Sequence, residues 1–375
     1  MRKLKFGLVG GGIGSFIGPV HRIAAEMDGL ATLVCGAFSS DPERSKDSAQ
    51  SIYRLPQERA YASFEAMFAQ ENLLPLEQRM DFVVIATPNH LHYPVAMAAL
   101  AAGFHVVCDK PVAFDLDQAL ELRRKVEASG LAFALTHNYT GYPMIRQARA
   151  MIEEGKLGSI RRVNCEYLQG WLAQPLLDNK QADWRTDPQR AGAAGCFGDI
   201  GSHGENLISY VTGLHLESLC ADITTFVPGR QLEDDGNVLL RFAGGAKGIL
   251  SVSQIALGKE NDLRLQVFGD RASIEWCQDD ANSLVVRHAD GPMQVLRSGW
   301  AGTNPHSIAA TRLPPGHPEG YLEAFAEVYR NFCNHLLGGS DNVNYPGIAE
   351  GVRGMQFIQS VVNSAQAGAQ WVRLT

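Results

Sequence analysis

"FGLVGGGIGSFIGPVHRIAAEMDGL", residues 6–30, is the stretch whose reading decides the fold. An apolar run, a cluster of glycines and a helical pattern follow one another without a break. Open α/β sheets begin in this order when glycine backbone and a helix N-terminus are to cradle a phosphate. The spelling G-x-G-x-x-G is not met strictly: from Gly10 it runs Gly10, Gly12, Ser15, and from Gly12 it runs Gly12, Gly14, Ile17. With Gly10 and Gly12 as the first two glycines, Gly18 and His21 close the motif three residues late. Residues 13–17, beginning at Ile13, are then an inserted segment over a bound dinucleotide. The competing reading is a glycine-rich turn without a ligand.

Outward from this stretch, short apolar runs at 5–9, 31–38, 81–86, 105–108 and 132–136 alternate with helical patterns at 20–27, 42–52, 63–69, 94–102 and 116–128. Five-residue strands between helices imply a parallel sheet covered on both faces. After a helix at 144–154 the pattern changes to β-rich runs at 161–168, 219–227, 237–242, 248–253, 263–268, 273–277 and 283–287, separated by turn sequences such as "EDDG" and "AGGAKG". Helical patterns at 321–337 and 348–366 close the chain. The expected architecture is an α/β Rossmann domain with a parallel sheet over residues 1–137. An α+β domain with an open-faced, mainly antiparallel sheet follows over 138–375. An open sheet rich in Val, Leu and Ile is an aggregation risk on a monomer, so a homodimer or homotetramer through that sheet is expected.

The chain has 375 residues, 45% hydrophobic and 19% charged, with a formal net charge of −7. The acidic balance argues against nucleic-acid binding, which wants clustered basic surface. No apolar run reaches the ~20 residues of a membrane span. The N-terminal sequence lacks the apolar core and cleavage site of a signal peptide. Seven scattered cysteines without C-x-x-C spacing fit reduced thiols better than disulfides or a zinc site. A cytoplasmic protein without a metal is expected.

Four further stretches carry chemistry. In "AFSSDPERS" (37–45), Ser39 and Ser40 stand where a dinucleotide's ribose is usually met, with Asp41 and Arg44 following. A hydroxyl and the Arg44 guanidinium suit a 2′-phosphate, whereas Asp41 suits a 2′-hydroxyl or simply caps the helix that starts at Pro42. "IATPNHLHYP" (85–94) places Thr87, Pro88, Asn89 and His92 in a strand-end loop, as cofactor contacts or as caps of the next helix. In "VVCDKPVAF" (106–114), Asp109 and Lys110 end a buried strand before Pro111. A lysine there suits proton exchange with a substrate hydroxyl, and a cis Lys110–Pro111 bond would aim it into the crevice. In "GCFGDIGSHGENLISYVTG" (195–213), Asp199 and His203 are four apart and share a helical face, as an orienting carboxylate and a proton-passing imidazole or as a cap and a solvated histidine. Glu205 beside them does not complete a metal ligand set.

Together, "GLVGGG…IGPVH", "ATPNHLH", "DKP", "MIEEGKLGSIRRV", "WRTDPQRAG" and "GDIGSHGENL" resemble the Gfo/Idh/MocA (glucose–fructose oxidoreductase / inositol dehydrogenase) family over nearly the whole chain. The resemblance implies NAD or NADP as cofactor and a secondary hydroxyl of a sugar, sugar derivative or cyclic polyol as the oxidised or reduced group. It puts the family's catalytic lysine on Lys110 and its D-x-x-x-H pair on Asp199 and His203. Gly10, Gly12, Ile13, Gly18, Ser39, Ser40, Arg44, Thr87, Pro88, Asn89, His92, Asp109 and Lys110 are then expected at the cofactor. Lys110, Asn138, Tyr139, Trp184, Arg185, Asp199, His203 and His317 are expected at the substrate. Asp109 replaces the family's glutamate, Asn206 stands where a further carboxylate is common, and "PPGHPEGYLEAF" (314–325) brings in His317. Two other functions share the resemblance. One is a redox-neutral, NAD-dependent glycoside hydrolase, with Trp171, Trp184 and Arg185 on the sugar. The other is a dinucleotide or sugar sensor without chemistry.

Overall fold

The computed structural model describes residues 2–176, 178–339 and 344–374. The chain divides into two compact units, Met1–His137 with Phe325–Met355, and Asn138–Ala324 with Gln356–Thr375.

In the first unit, strands β1 (Leu4–Gly10), β2 (Ala31–Ala37), β3 (Phe82–Ala86), β4 (His105–Cys108) and β5 (Phe133–Leu135) form one sheet in the order β2-β1-β3-β4-β5. Every pairing in it is parallel. Helices α1 (Ile17–Met27), α2 (Pro42–Ser48), α3 (Phe64–Leu73), α4 (His92–Ala101) and α5 (Leu116–Ser129) make the connections. β3 is buried at all five residues, as a strand covered on both faces must be. Ser63 caps α3, accepting from the Ala66 N–H, and Asp115 caps α5, accepting from the Gln118 N–H. The order reverses between β1 and β3. In open α/β sheets the crevice at the carboxyl ends of such a pair is where ligands bind.

The expectation that residues 138–375 form one domain needs correcting. Residues 325–355 belong to the first unit. Within that unit the Leu135 N–H donates to the Pro346 carbonyl, and the Phe332 ring meets Phe82 edge-on at 5.3 Å. Arg330 forms a two-point ion pair with Asp28, just past α1, at 3.0 and 3.1 Å. Amphipathic periodicity shows that a helix buries one face, but not which sheet that face covers.

The second unit is built on a nine-stranded sheet. Its strands are β6 (Ile160–Leu168), β7 (Leu216–Thr224), β8 (Asp235–Phe242), β9 (Lys247–Ser253), β10 (Asp262–Gly269), β11 (Ala272–Cys277), β12 (Ser283–His288), β13 (Gln294–Arg297) and β14 (Val372–Arg373). The order is β13-β12-β11-β10-β6-β9-β8-β7-β14. Only β6 and β9 pair in parallel; the other pairings are antiparallel. One face packs under helices α6 (Pro143–Glu153) and α9 (Ser202–Thr212). α9 approaches closely because Gly204 has no side chain: a Cβ there would stand 2.6 Å from Leu250 Cδ1. Short helices α7 (Lys180–Arg185) and α8 (Pro188–Ala191) precede α9, and α10 (Pro305–Ala310) follows the sheet. Helices α11 (Tyr321–Leu336) and α12 (Ile348–Gln366) run across the unit boundaries in sequence.

The open face is not the apolar surface expected. The register sets Arg264, Glu166, Ser251 and Asn237 in one cross-strand row, and Gln266, Asn164, Ile249, Leu239 and Cys220 in the next. Apolar residues occupy only the end of the second row. No helix among the described residues is long and apolar enough to cross a membrane.

Candidate functional site

One cluster of candidate residues lies at the β1/β3 crevice of the first unit. Gly10, paired with Ala86, has φ 87°, and Gly11 has φ 74°. A Cβ at Gly10 would stand 2.4 Å from the Ala86 carbonyl oxygen, and one at Gly12 would stand 2.4 Å from the Phe38 carbonyl oxygen. At Gly18 a Cβ would lie 2.3 Å from Gly11 Cα. Close packing of helix on turn is the office of the fingerprint's third glycine, so Gly18 holds it. Ser15, at the formal third position, instead accepts a hydrogen bond from the Gly18 N–H through its hydroxyl at 3.3 Å. Tyr53 donates its hydroxyl to the Gly11 carbonyl at 2.5 Å and braces the turn from behind.

Helix α1 starts at Ile17, earlier than its periodicity suggests, so the inserted segment is a short turn in which Ser15 N–H bonds the Gly12 carbonyl. Ile13 is tied to α2 on both sides of its peptide: its N–H donates to Ser48 Oγ and its carbonyl accepts from Arg44 Nη2, each at 3.1 Å. Asp41 caps α2, one carboxylate oxygen accepting from the Glu43 and Arg44 N–H groups. Ser39 Oγ accepts from the Asp41 N–H, and Ser40 is exposed. The β2 tip thus presents hydroxyls and Arg44, with its carboxylate turned into the helix cap.

Across the crevice, the buried Thr87 hydroxyl has no hydrogen-bond partner among the described residues. Glycine backbone on one side and an unsatisfied donor on the other fit a bound dinucleotide. Pro88 precedes the short helical turn Asn89–Leu91, in which Asn89 is buried. His92 neither caps a helix with its side chain nor stands open to a cofactor. Its ring is 1% exposed, with Nδ1 2.6 Å from the Pro111 carbonyl oxygen and Nε2 2.9 Å from that of Thr87. Both ring nitrogens thus face carbonyls of the protein itself.

The Lys110–Pro111 peptide bond is cis. One oxygen of Asp109 accepts from the Lys110 N–H at 2.9 Å and from the Thr136 hydroxyl at 2.8 Å. The other lies 3.7 Å from Nε2 of buried His21, whose Nδ1 is 2.6 Å from the Tyr329 hydroxyl. Burial pushes the Asp109 carboxyl upward, but His21, Lys110 and His92 outweigh it and hold the group well below the usual carboxylate range. Asp109 is therefore a fixed anion beneath the lysine. It braces the turn through the Lys110 N–H and the Thr136 hydroxyl.

A separate cluster of candidate residues lies in the second unit. The segment before α9 is a wide helical turn, Phe197–Gly201, anchored by Glu233. The Cys196 N–H donates to the Glu233 carbonyl at 3.0 Å and the Phe197 N–H to its carboxylate at 3.1 Å. Burial pushes the Glu233 carboxyl up despite these bonds. The anchored turn carries Asp199, whose Oδ2 accepts from Arg185 Nε at 3.0 Å and Gln254 Nε2 at 2.8 Å. Arg185 is itself held by Gln181 and lies over the Trp184 ring at 4.3 Å and near Trp171 at 5.9 Å.

His203 is 8% exposed, and Tyr139 meets its ring edge-on at 4.9 Å. Tyr139 is buried too, and its hydroxyl pairs with that of Tyr167 at 2.5 Å in a network through Asn261 to Gln169, Gln278 and Trp171. Its ring thus packs on the imidazole while its hydroxyl is held in this network. Asn138 is 1% exposed, and neither end of its amide has a partner among the described residues. Such a group calls for a ligand or water. His317 is exposed, with Nδ1 3.2 Å from the Pro314 carbonyl oxygen of its own turn.

Sequence reasoning missed Gln254, Glu233, Tyr167, Asn261, Tyr53 and Thr136. Their bonds reach across long stretches of sequence, so only the fold reveals them.

Residues 4–147 match the model of an oxidoreductase family with an NAD-binding Rossmann fold, and residues 145–275 match that of the GFO/IDH/MocA C-terminal domain. An uncharacterised oxidoreductase of Bacillus subtilis, YfiI, is 34% identical over 99% of this chain and 97% of its own. Levoglucosan dehydrogenase of Pseudarthrobacter phenanthrenivorans is 27% identical over 99% and 98%. Among solved structures, an inositol dehydrogenase homolog of Azotobacter vinelandii complexed with NAD+ superposes with a TM-score of 0.95 at 34% identity, covering 99% of this chain and 97% of that one.

Proposed function

Given that the chain belongs to the Gfo/Idh/MocA oxidoreductase family, with an NAD-binding Rossmann domain, we propose that it oxidises a secondary hydroxyl of a cyclic polyol or sugar, with Lys110, Asp199 and His203 as the acting residues. The observation that carries the reading is the fixed Asp199 carboxylate just ahead of buried His203. One carboxylate oxygen is engaged by Arg185 and Gln254, so the group is oriented before any substrate arrives. The inositol and levoglucosan dehydrogenase relatives support a cyclic polyol or anhydrosugar as the substrate class.

In this reading His203 accepts the hydroxyl proton, Asp199 fixes the ring by a charge-assisted hydrogen bond, and Lys110 polarises the reacting oxygen as its charge builds. The nicotinamide, when bound, takes the hydride from the carbinol carbon. Asn138 satisfies its amide on a further hydroxyl. The cradle of Gly10, Gly12 and Gly18 with Thr87 holds the dinucleotide. The open face of the second unit's sheet, with Leu239 and Ile249 at one end, is read as a contact between copies of the chain. Sedimentation as a monomer at micromolar concentration would remove that assignment.

The test of the chemistry is turnover of His203→Ala and Lys110→Ala on a polyol panel that includes myo-inositol and levoglucosan. Loss of one proton-transfer group costs ~10²–10⁴-fold. Near-parent rates in both variants would overturn the assignment.

A further inference from the structure

His92 stands between two strand-end loops. The Thr87 carbonyl belongs to the loop after β3 and the Pro111 carbonyl to the turn after β4, and the buried ring of His92 touches both. Burial drives the imidazole toward its neutral form, which has a single N–H to give. Only one of the two carbonyls, that of Pro111 at 2.6 Å from Nδ1 or that of Thr87 at 2.9 Å from Nε2, can receive it. Pro111 follows Lys110, whose own N–H is held by Asp109. The turn that bears the lysine is therefore clamped from two sides, by a carboxylate before it and an imidazole after it.

We propose that His92 is a positioning residue that fixes the origin of the Lys110 side chain through its Nδ1–H bond to the Pro111 carbonyl. This rests on reading Lys110 as the acting group. Generic core packing would use the ring as a filler and be indifferent to which nitrogen is kept. Positioning through Pro111 requires a donor at the Nδ1 place.

Two substitutions separate the nitrogens. In His92→Asn the amide N–H stands near the place of Nδ1, and in His92→Gln near that of Nε2. The first readout needs no turnover: the full-length protein is reductively methylated with ¹³C-formaldehyde, and the Lys110 resonance, assigned by its loss in Lys110→Met, is titrated by NMR. The second readout is kcat and KM with NAD+ and myo-inositol as the probe. His92→Asn is expected to keep the parent Lys110 titration and most of kcat. His92→Gln is expected to move the resonance and lower kcat by about 10–100-fold, the scale of a misplacement near 1 Å, with KM changed far less.

Parent behaviour in His92→Gln, or equal losses in both variants, overturns the proposal. The reading beneath it fails separately, and visibly, if Lys110→Met turns over like the parent, because the Asn/Gln contrast in the resonance stands without activity.

Discussion

Replacing Gly18 by alanine tests whether the opening motif is closed at that residue. A Cβ at Gly18 would stand 2.3 Å from Gly11 Cα, 2.7 Å from Tyr53 Oη and 2.9 Å from the Gly11 carbonyl oxygen. Carbon atoms rest at ~3.5–4.0 Å, so α1 must withdraw from the turn by roughly 1 Å or more. Two of the three atoms are backbone and cannot swing aside. Overpacking of this kind costs ~1–3 kcal/mol. At ~2–4 °C per kcal/mol for a unit of this size, the melting transition should fall by ~2–12 °C. Dinucleotide affinity should fall as well, because the displaced N-terminus of α1 carries the N–H groups and partial positive charge that meet the pyrophosphate. Thermal unfolding and NADH fluorescence titration measure the two effects. Ser15→Ala is the control: it removes one hydroxyl bond at 3.3 Å and leaves the packing alone. A Gly18→Ala protein that melts and binds NADH like the parent, or a Ser15→Ala protein that loses more, would refute the reasoning.

Arg185→Met removes one of the two donors on Asp199 Oδ2 and leaves Gln254 there. Hydrogen bonds to charged groups are worth ~1.5–3 kcal/mol, and a side chain 22% exposed keeps much of that. A drop of about tenfold or more in kcat/KM is therefore expected in steady-state assays, and an unchanged value contradicts the orienting role. Arg44→Ala removes the bond to the Ile13 carbonyl and the only cation at the β2 tip within 37–45; it should weaken NADP more than NAD in parallel titrations. Equal weakening would show that Arg44 only ties down the loop. Burial lowers the pKa of His92 and His105, and brings that of His137 down to about 3, where Arg353 and Lys110 add to the shift. A histidine with a depressed folded pKa binds its proton more readily when unfolded. Its stabilisation is complete above the unfolded value near ~6.5 and is lost progressively as pH falls toward the folded one. Denaturation followed from pH 7 to pH 4 should show a falling midpoint, less steep in His137→Gln; a midpoint that holds level contradicts the burial argument.

The parallel sheet was legible because each strand is a short apolar run closed by a turn and followed by a helical period. The second sheet was legible from alternation. The parallel pairing of β6 with β9 was not, because alternation reports which residues face inward and is silent about the neighbouring strand's direction. The return of residues 325–355 to the first unit was hidden for the same reason. Asp41 shows a limit of another kind: a cap and a ribose ligand want the same residue at the same place, and the bonds from the Glu43 and Arg44 N–H groups to one carboxylate oxygen, which show the cap in place, are not written in the sequence. Lys110, Asp199 and His203 stood out because polar residues at strand ends and helix starts are conspicuous against apolar flanks. His92, Arg185 and Tyr139 stood out as well, but not their pairings: His92 with the Pro111 carbonyl, Arg185 and Gln254 with Asp199, and Tyr139 with the His203 ring join segments apart in sequence and leave no local pattern. The polar row Arg264–Glu166–Ser251–Asn237 likewise emerges only once the register is known.

The most direct test of the central claim is the reduced-nicotinamide absorbance of the parent protein supplied with NAD+ or NADP+ and a panel of cyclic polyols, anhydrosugars and their glycosides. The account predicts steady accumulation of reduced nicotinamide, one for each ketone formed, with at least one free polyol or sugar, and its loss in His203→Ala. Cleavage of a glycoside with no net accumulation would contradict it, and so would tight polyol binding with no turnover across the panel.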